Sequence, residues 1–362
     1  MQTIRKLKSK PGLWFCDNVD VPTIGNRDVL VAVTHAGICG TDRHIYEWDR
    51  WSQSRVKVGI TTGHEFVGRI VKLGNDVERL RVGQRVSAEG HIYCGQCRSC
   101  RSGNAHICAQ VQILGIDRDG CFAQFVSIPE QNIWPVDDRI PNEIAAIFDP
   151  LGNAVHTVME ADVSGKTVLI TGVGIIGLMA VTVAKAAGAG KILVSDVDPH
   201  RLEVARELGA DVCYLASDKD WPEQARAATD GHGPEVLLEM SGSPFAIRQG
   251  FAALADGGTA ALLGIPGDEV SINFANDIIF KGAKVLGING RRIFKTWFQM
   301  ETFLLSGRLN LEPIITHVIE MENFEDGFRM MQSGEAIKVV LKIPQKEPIA
   351  CPTASLTSGA KT

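Results

Sequence analysis

Four cysteines stand close together in one short segment, as Cys94, Cys97, Cys100 and Cys108. Two residues separate Cys94 from Cys97 and Cys97 from Cys100, and seven residues separate Cys100 from Cys108. Thiolates at this spacing can converge on a single ion, and four of them form a closed tetrahedral zinc site. The residues between them are loop-formers with little to bury, so a metal would have to order the segment. We therefore predict a structural zinc ion here; the alternatives are an iron–sulfur cluster, a disulfide cluster or four unrelated surface thiols.

A second set of possible metal ligands lies upstream, where Cys39, His64 and Glu65 offer a thiolate, an imidazole and a carboxylate. Three protein ligands leave one coordination position open, which is typical of catalytic rather than structural zinc. Taken singly, a cysteine after an apolar strand is usually a core residue, and a His-Glu pair is usually a polar turn. Beside a four-thiolate segment and the nucleotide motif that follows, the set predicts a second, catalytic zinc ion in the chain.

A glycine-rich motif follows the apolar segment 168–171, with Gly172, Gly174 and Gly177 in the pattern G-x-G-x-x-G. The pattern alone is weak, but here a strand precedes it and an apolar helix follows. Gly172 would allow the tight turn, Gly174 would let the backbone approach a pyrophosphate, and Gly177 would let the helix pack on the sheet. The motif therefore predicts dinucleotide binding at a helix N-terminus.

The choice of cofactor depends on Asp196, which stands 19 positions after Gly177 at the end of the next strand. A carboxylate there accepts hydrogen bonds from the adenosine ribose and repels a 2′-phosphate. We therefore predict NAD over NADP. Arg201 keeps the alternative open, since an arginine at this place can hold a 2′-phosphate.

The predicted secondary structure that must position these motifs changes near Ser164. Before it, the chain reads as short strands and turns, for example over 29–33, 67–71 and 122–126. After it, apolar strands alternate with helices, which predicts a parallel sheet covered on both faces. The six predicted strands are 168–171, 191–195, 212–214, 236–240, 259–263 and 284–288. Six strands of this kind suggest a complete dinucleotide-binding fold.

These changes divide the chain into three parts, of overall α/β class. We expect a catalytic zinc domain over 1–150 and 294–344, with a last strand over 338–343 that rejoins its N-terminal half. A Rossmann domain that binds NAD is expected over 151–293. The remaining segment, 345–362, is rich in Pro, Ala, Ser, Thr and Lys and has no periodicity, which predicts a disordered tail.

The composition excludes several classes of function. The chain has 45% hydrophobic and 22% charged residues, as an ordinary soluble protein does. A net charge of −5 argues against nucleic-acid binding. No apolar run approaches about 18 residues, and the N-terminus is not typical of a secretion signal, so we expect neither a membrane span nor export. Nine cysteines, an odd number, fit a reducing interior. A cytoplasmic location is therefore expected.

With these motifs together, the chain resembles the zinc-dependent medium-chain dehydrogenases. The resemblance covers residues 1–343, and it implies a mostly-β GroES-like catalytic domain joined to a six-stranded Rossmann domain. It is carried by residues 38–53, 63–68, 89–92, 149–156, 238–242, 263–266 and 313–317. The zinc and glycine motifs belong to the whole family, whereas 44–53 and 149–156 resemble the members that oxidise L-threonine.

The resemblance also implies roles for single residues around the metal. Thr41 and His44 would form a proton relay, and His91 would lie near the substrate amino acid. Asp149 would be a fourth ligand or a relay group, although an acid before Pro150 can also simply cap a helix. Further cofactor contacts are implied at Ile176, Asp196, Arg201, Leu263, Gly264, Ile265, Ile288 and Asn289.

The activity implied is the NAD-dependent oxidation of L-threonine to 2-amino-3-oxobutanoate, with zinc polarising the substrate hydroxyl. Relatives with a four-cysteine segment are commonly tetramers, so a homotetramer is implied. The unstable product implies a metabolic link to a 2-amino-3-ketobutyrate CoA ligase. A polyol or sugar dehydrogenase of the same family is the nearest alternative, and a non-catalytic scaffold that binds NAD and zinc is a more distant one.

Overall fold

Two large β-sheets organise the part of the chain that the computed structural model describes, residues 1–345. One has seven strands and is mainly antiparallel, and the other has six parallel strands. The predicted disordered tail, 345–362, lies outside the described residues except for Gln345. The side chain of Gln345 donates hydrogen bonds to the carbonyl oxygens of Val33 and Ile343.

The strands fall into three groups along the chain. The first ten are β1 (Thr3–Lys6), β2 (Trp14–Cys16), β3 (Asp28–Gly37), β4 (Ile60–Thr61), β5 (Glu65–Leu73), β6 (Arg85–Ala88), β7 (His91–Ile92), β8 (Gln112–Ile113), β9 (Phe125–Pro129) and β10 (Ile133–Pro135). The next six are β11 (Thr167–Thr171), β12 (Lys191–Asp196), β13 (Val212–Leu215), β14 (Val236–Glu239), β15 (Thr259–Leu262) and β16 (Lys284–Gly287). The last two are β17 (Ile315–Glu320) and β18 (Lys338–Lys342).

The helices are mostly short outside the parallel sheet. They are α1 (Gly40–Glu47), α2 (Arg50–Arg55), α3 (Arg98–Arg101), α4 (Asn142–Ala145), α5 (Phe148–Ala161), α6 (Ile175–Ala186), α7 (Pro199–Leu208), α8 (Trp221–Ala227), α9 (Pro244–Ala253), α10 (Lys295–Leu305) and α11 (Phe324–Ser333). Single 3₁₀ turns occur at Ala105–Ile107, Glu130–Asn132, Glu312–Ile314 and Met321–Asn323, and a π-helical turn at Phe274–Ile279. Among residues 1–345, no helix is long and apolar enough to cross a membrane.

Strand β3 is the centre of the seven-stranded sheet, whose order is β10-β6-β5-β3-β18-β17 with β9 also paired to β3. Its valines and alanines are largely buried, as the apolar run Val29-Leu30-Val31 predicts. It pairs antiparallel with β5 from Val29 opposite Leu73 to Gly37 opposite Glu65. The C-terminal strand β18 returns to β3, as the sequence predicts, and pairs with its last three residues.

The parallel sheet has the strand order β13-β12-β11-β14-β15-β16. Numbered from its own first strand this order is 3-2-1-4-5-6, which is that of the dinucleotide-binding fold. Its central strands are buried along their whole length, for example β14, because helices cover both faces. The predicted fold class, an α/β chain with a GroES-like part and a six-stranded Rossmann part, is therefore confirmed.

One hydrophobic core joins the two sheets through helix α5. Phe148, in the first turn of α5, packs edge to face against Trp297 of α10, with ring centroids 6.0 Å apart. The same cluster reaches Val67 on β5 and Ile170 on β11, and all four side chains are fully buried. Contacts on both sides of α5 therefore set the position of one sheet relative to the other.

One predicted strand is displaced. The sequence predicts a strand over 122–126, but β9 begins only at Phe125. Phe122 is fully buried and lies in a turn instead, where its N–H donates to the carbonyl oxygen of Thr62. The reason is tertiary, because Gly120 and Cys121 bond back to the backbone before β5 and delay the pairing with β3.

Candidate active site

The four cysteines of residues 94–108 surround one point. Their Sγ atoms are 3.5 Å apart for Cys97–Cys100 and Cys94–Cys108, 3.8 Å for Cys97–Cys108 and 3.9 Å for Cys94–Cys100. Zinc–sulfur bonds of about 2.3 Å place the sulfurs of a tetrahedron about 3.8 Å apart. All four residues are free thiols, so this is not a disulfide cluster. The spacing of the sulfurs fits a single zinc ion.

Short turns bring these thiols together and prepare them to bind a metal. Cys97 is the N-cap of α3, and its N–H points at the sulfur of Cys94 at 3.4 Å. The N–H groups of Cys100 and Ala109 point at the sulfur of Cys97 and lower the pKa of that thiol to about 6. The thiolate is the metal-binding form, so these N–H groups favour metal binding at Cys97.

The second set of ligands is assembled by the pairing of β3 with β5. Gly37, the last residue of β3, lies opposite Glu65, the first residue of β5. Cys39 follows β3 by two residues, and His64 directly precedes β5, so the strand register brings them together. One ligand atom from each of Cys39, His64 and Glu65 lies within 4.8 Å of the others. A Cβ on Gly37 would collide with the carboxylate of Glu65, so only glycine fits there.

Lys338 neutralises one side of Glu65. Its Nζ lies 2.6 Å from Glu65 Oε2, both side chains are fully buried, and it donates to the carbonyl oxygen of Ile38 at 2.7 Å. Within residues 1–345, Glu65 Oε1 is buried without a hydrogen-bond partner. An unpaired buried carboxylate oxygen is costly, so this atom fits a metal ligand.

Asp42 stands behind the imidazole of His64. Its Oδ2 accepts from the N–H of Cys39 at 3.0 Å, and its Oδ1 is 3.9 Å from His64 Nδ1. At this distance the two atoms do not hydrogen-bond, so the carboxylate acts on the imidazole through its charge. Burial lowers the pKa of His64, but Asp42 and Cys39 outweigh it and raise the pKa to about 10. The surroundings therefore favour a positive charge at this point.

The buried charges around this cluster do not balance. Four carboxylates and two cationic side chains come within a few residues of the three ligands, and all are buried. Carboxylates outnumber these cations by two, and by one when a protonated His64 is counted. A buried excess of carboxylates favours a bound cation. The six groups are Asp42, Glu65, Glu89, Asp149, Arg291 and Lys338.

Arg291 connects two of these acids. Its Nε donates to Glu89 Oε2 at 2.9 Å, its Nη2 pairs with Glu89 Oε1, and its Nη1 lies 2.8 Å from Asp149 Oδ2. Burial raises the pKa of Glu89, but Arg291 outweighs it and lowers the pKa to about 2. Asp149 lies in the first turn of α5, whose N-cap is Ile147, so its side chain does not cap the helix. The helix-cap interpretation of Asp149 is therefore wrong.

His91 lies between this network and the end of the parallel sheet. Its N–H donates to Glu89 Oε1 at 2.9 Å. Burial and the charge of Arg291 lower the pKa of its imidazole, so the ring is neutral near pH 7. A Cβ on Gly290, the residue after Asn289, would lie 2.7 Å from His91 Cε1. The predicted substrate-side residue and a predicted cofactor residue are therefore neighbours.

The predicted relay residues lie on α1, which begins directly after Cys39. Thr41 and His44 are three residues apart and share one face of the helix. Thr41 is partly buried, whereas the side chain of His44 is exposed. His44 Nδ1 lies 2.7 Å from Asp49 Oδ2. The two predicted relay residues therefore lie on one face of the helix that follows Cys39, and the second of them is exposed to solvent.

The glycine loop has the form of a nucleotide cradle. Gly172 has φ +83°, and a Cβ there would lie 2.6 Å from Ser241 Cβ. A Cβ on Gly177 would collide with the carbonyl oxygen of Gly172, so the helix packs closely on the loop. Gly174, the N-cap of α6, faces open space and has no side-chain cap. The free N–H groups of this helix end can bind a pyrophosphate.

Asp196 closes the cradle on one side. Its Oδ2 accepts from the N–H of Val173 at 2.7 Å, and its Oδ1 accepts from the N–H of Asp198 at 2.9 Å. Arg201 Nε lies 3.4 Å from Asp198 Oδ2, so its charge is already paired. An ionised Asp196 at this strand end opposes a 2′-phosphate, which favours NAD over NADP.

The other predicted cofactor residues follow strands at the same edge of the sheet. Leu263, Gly264 and Ile265 follow β15, and Ile288 and Asn289 follow β16. Ile265 is 91% exposed and Asn289 is exposed. Ile176 lies in the first turn of α6 and is partly buried. The carboxyl ends of parallel strands are where dinucleotides bind, so all of these residues lie at one candidate site.

Two family models match most of the folded chain. The "alcohol dehydrogenase GroES-like domain" matches residues 25–138, and the "zinc-binding dehydrogenase" model matches residues 176–306. A protein of Symbiobacterium thermophilum named L-threonine 3-dehydrogenase is 46% identical over 342 residues, which are 94% of this chain and 97% of the relative. The chain belongs to the zinc-binding dehydrogenase family.

Further comparisons place the chain within the family. The L-threonine 3-dehydrogenase of Rhizobium johnstonii is 47% identical over 94% of this chain and 98% of the relative. Among solved structures, an alcohol dehydrogenase of Thermus sp. ATN1 superposes with a TM-score of 0.87 at 28% identity, over 95% of this chain and all of the other. The chain is therefore similar in sequence to proteins named L-threonine 3-dehydrogenase and similar in fold to an alcohol dehydrogenase.

Four buried charged residues of the site were missed by sequence reasoning. Asp42 and Glu89 stand inside the recognised motifs 38–53 and 89–92, and that position was the available signal. Lys338 opens the otherwise apolar run Val339-Val340-Leu341, where a lysine implies a buried partner. Arg291 had no local signal, because it meets Glu89 across 202 residues of chain.

Proposed function

We propose that this zinc-binding dehydrogenase oxidises the Cβ hydroxyl of L-threonine with NAD, giving 2-amino-3-oxobutanoate, NADH and a proton. The observation that carries the proposal is the near-full-length similarity to proteins named L-threonine 3-dehydrogenase, at 46–47% identity. It is supported by a three-ligand cluster at the seven-stranded sheet and by the close approach of His91 to Gly290, which follows the last strand of the parallel sheet.

The proposed metal and cofactor roles follow the donor sets. Cys39, His64 and Glu65 would hold the catalytic zinc, and the four cysteines of 94–108 the structural zinc. Bound there, zinc supplies a Lewis acid for the substrate hydroxyl, and NAD supplies the hydride acceptor. The chain's own task is to align the substrate and to exclude water between the two sheets. On this division, residues 1–150 and 294–344 carry the chemistry and 151–293 hold the cofactor.

The substrate proton needs a route out of the site. Thr41 has a hydroxyl that can receive one proton while passing on its own, and His44 reaches solvent one helical turn later. A histidine is suited to pass a proton near neutral pH. We place Thr41 and His44 in this relay. The ring releases its extra proton to solvent, which completes the proton count of the reaction.

Recognition of the amino acid falls to the network around Arg291. Because Arg291 is already paired with Glu89 and Asp149, it is not free to bind the substrate carboxylate. We place the neutral ring of His91 against the substrate. Asp149 Oδ2 pairs with Arg291. We assign its other oxygen, Oδ1, to the metal or to the substrate ammonium. The cofactor contacts proposed are Gly172, Gly174, Ile176, Gly177, Asp196, Arg201, Leu263, Gly264, Ile265, Ile288 and Asn289.

The test is an initial-rate comparison with zinc-loaded enzyme. L-threonine is compared with D-threonine, sorbitol, 2,3-butanediol and ethanol, each with NAD and with NADP. We expect L-threonine with NAD to be preferred. Strong turnover of a polyol would keep the zinc and NAD chemistry but replace the substrate. Absence of turnover on every alcohol by zinc-loaded protein would favour a scaffold that binds NAD.

A homotetramer in the cytoplasm completes the proposal. Val285 of the edge strand β16 and the neighbouring Phe274, Ile279 and Phe280 are 42–78% exposed, an apolar patch that a second copy could cover. The thiolates of the zinc sites persist in a reducing compartment. Light scattering tests the assembly.

The β-keto acid product is unstable, so we also propose a metabolic link, with no physical contact implied, to a 2-amino-3-ketobutyrate CoA ligase.

A further inference from the structure

The loop between α1 and α2 holds the ring of His44 from one side. Asp49 follows Trp48, the C-cap of α1, and is itself the N-cap of α2. Asp49 Oδ2 lies 2.7 Å from His44 Nδ1. Asp49 Oδ1 accepts from the N–H of Ser52 at 2.9 Å and from its hydroxyl at 2.8 Å. The carboxylate therefore cannot turn away from the imidazole without losing both contacts with Ser52.

The chemistry of this pair decides which ring nitrogen carries the proton. Burial raises the pKa of Asp49, but hydrogen bonds from Ser52 and His44 outweigh it and leave the pKa below its usual range. An ionised carboxylate only accepts hydrogen bonds, so His44 Nδ1 must be the donor at 2.7 Å. In the neutral ring, Nε2 then carries the free lone pair.

We propose that Asp49 is the positioning residue of the proton relay. By accepting from Nδ1–H of His44, it fixes the tautomer in which Nε2 takes the proton that Thr41 passes on. This inference rests on the proposed function, in which Thr41 and His44 carry the substrate proton to solvent. Thr41 gains the substrate proton as it gives its own to Nε2, and the imidazolium then releases one proton to water.

The surroundings of the ring support a fixed orientation. Trp51 of α2 stands edge-on to His44, with ring centroids 6.1 Å apart. The hydroxyl of Ser52 is fully buried and lies 2.9 Å from the carbonyl oxygen of His44, so the loop is tied to the helix that carries the ring. Side-chain and backbone contacts from α2 therefore converge on one residue of α1.

Two substitutions of Asp49 separate this role from helix capping. Asn is as good an N-cap as Asp, whereas Ala removes the cap, so capping alone predicts more damage from Asp49→Ala. The amide of Asp49→Asn, however, can donate to Nδ1 and would favour the opposite tautomer. We expect kcat to fall about tenfold in Asp49→Ala and about a hundredfold in Asp49→Asn, with KM for L-threonine little changed. Equal losses, or a smaller loss in Asp49→Asn, would overturn the proposal.

A second readout does not depend on turnover. In protein labelled with ¹⁵N-histidine, the signal lost in His44→Ala identifies the ring, and its nitrogen shifts at a pH where it is neutral report the tautomer. We expect Nδ1–H in the wild type and Nε2–H in Asp49→Asn. Glu47→Gln is the matched control, since Glu47 lies on the same helix and pairs with Arg43 and Gln332 instead.

The outcomes distinguish this inference from the function on which it rests. An unchanged tautomer in Asp49→Asn would overturn the role of Asp49 and leave the relay standing. Wild-type kcat in His44→Ala would overturn the relay itself, and the role of Asp49 with it. Loss of L-threonine turnover in the wild type, with another alcohol used instead, would replace the substrate, and the two Asp49 variants would then be compared on that alcohol.

Discussion

The two predicted metal sites are built in opposite ways. The cysteines of 94–108 come from one short segment, and turns and backbone N–H groups within that segment bring the sulfurs together. Cys39, His64 and Glu65 come from two strands, and a third strand supplies the lysine that pairs with Glu65. The first site can form locally around its metal, whereas the second exists only after the seven-stranded sheet has formed.

The two sites also differ in how much charge they bury and in where its partners come from. Three of the four thiols of the first site are partly exposed, Cys108 is buried, and N–H groups from their own turns point at the sulfurs. The second site buries more carboxylates than cations and depends on distant Arg291 and Lys338 for partial compensation. A substitution in the first site should therefore affect a local segment. A substitution in the second site should affect turnover and the stability of the sheet.

The largest expected effect is that of Cys39→Ser. Loss of the soft thiolate should remove the catalytic ion and lower kcat by about a thousandfold or more. The fold should persist, because Cys39 lies after β3 and not within a strand. Zinc content, turnover and thermal unfolding are measured together. Full zinc content with normal turnover would show that Cys39 is not a ligand.

Cys97→Ser should give the complementary result. We expect loss of the structural ion and a midpoint of thermal unfolding lower by roughly 5 °C, with the catalytic ion retained. Turnover of the folded protein should fall much less than in Cys39→Ser. If the two variants behaved alike in zinc content and in rate, the contrast between a local and a non-local site would be wrong.

Lys338→Met tests how strongly the second site depends on a distant partner. Leaving Glu65 as an unpaired buried charge should cost roughly 3–5 kcal/mol in the free energy of unfolding. Urea unfolding of protein from which the catalytic zinc has been removed measures it, because a bound zinc ion would itself pair with Glu65. The matched control is Lys342→Met on the same strand, since Lys342 is exposed and 3.8 Å from Glu320. We expect the control to change stability by less than about 1 kcal/mol, and equal costs would contradict the buried pair.

The smallest expected effect is that of Gly290→Ala. Gly290 has φ +58°, and a Cβ there would meet His91. We expect KM for L-threonine to rise about three- to tenfold as the His91 ring is displaced, with zinc content unchanged. Gly282→Ala has the same φ but open space around the Cβ, so it carries the backbone strain alone. Equal KM values in the two variants would remove His91 from the substrate side.

The sequence predictions were accurate for features set by a local segment and less accurate for features set by contacts between distant segments. The six strands of the parallel sheet were found because apolar runs bounded by helices are a local pattern, and the resulting α/β fold class is confirmed. The strand expected over 122–126 was displaced because hydrogen bonds to the backbone near Thr62 delay its start. The helix cap considered as the alternative for Asp149 was wrong, because Arg291, distant in the chain, pairs with that carboxylate.

The sequence by itself determined the ligand types, the glycine loop and the order of the elements. Metal and phosphate binding depend on residue types at short spacing, and these are visible in one segment at a time. Only the tertiary structure decided which charges share a buried site and which oxygen of Glu65 is left unpaired. The physical reason is that desolvation and ion pairing depend on distance in space, and the partners here lie hundreds of residues apart in the chain.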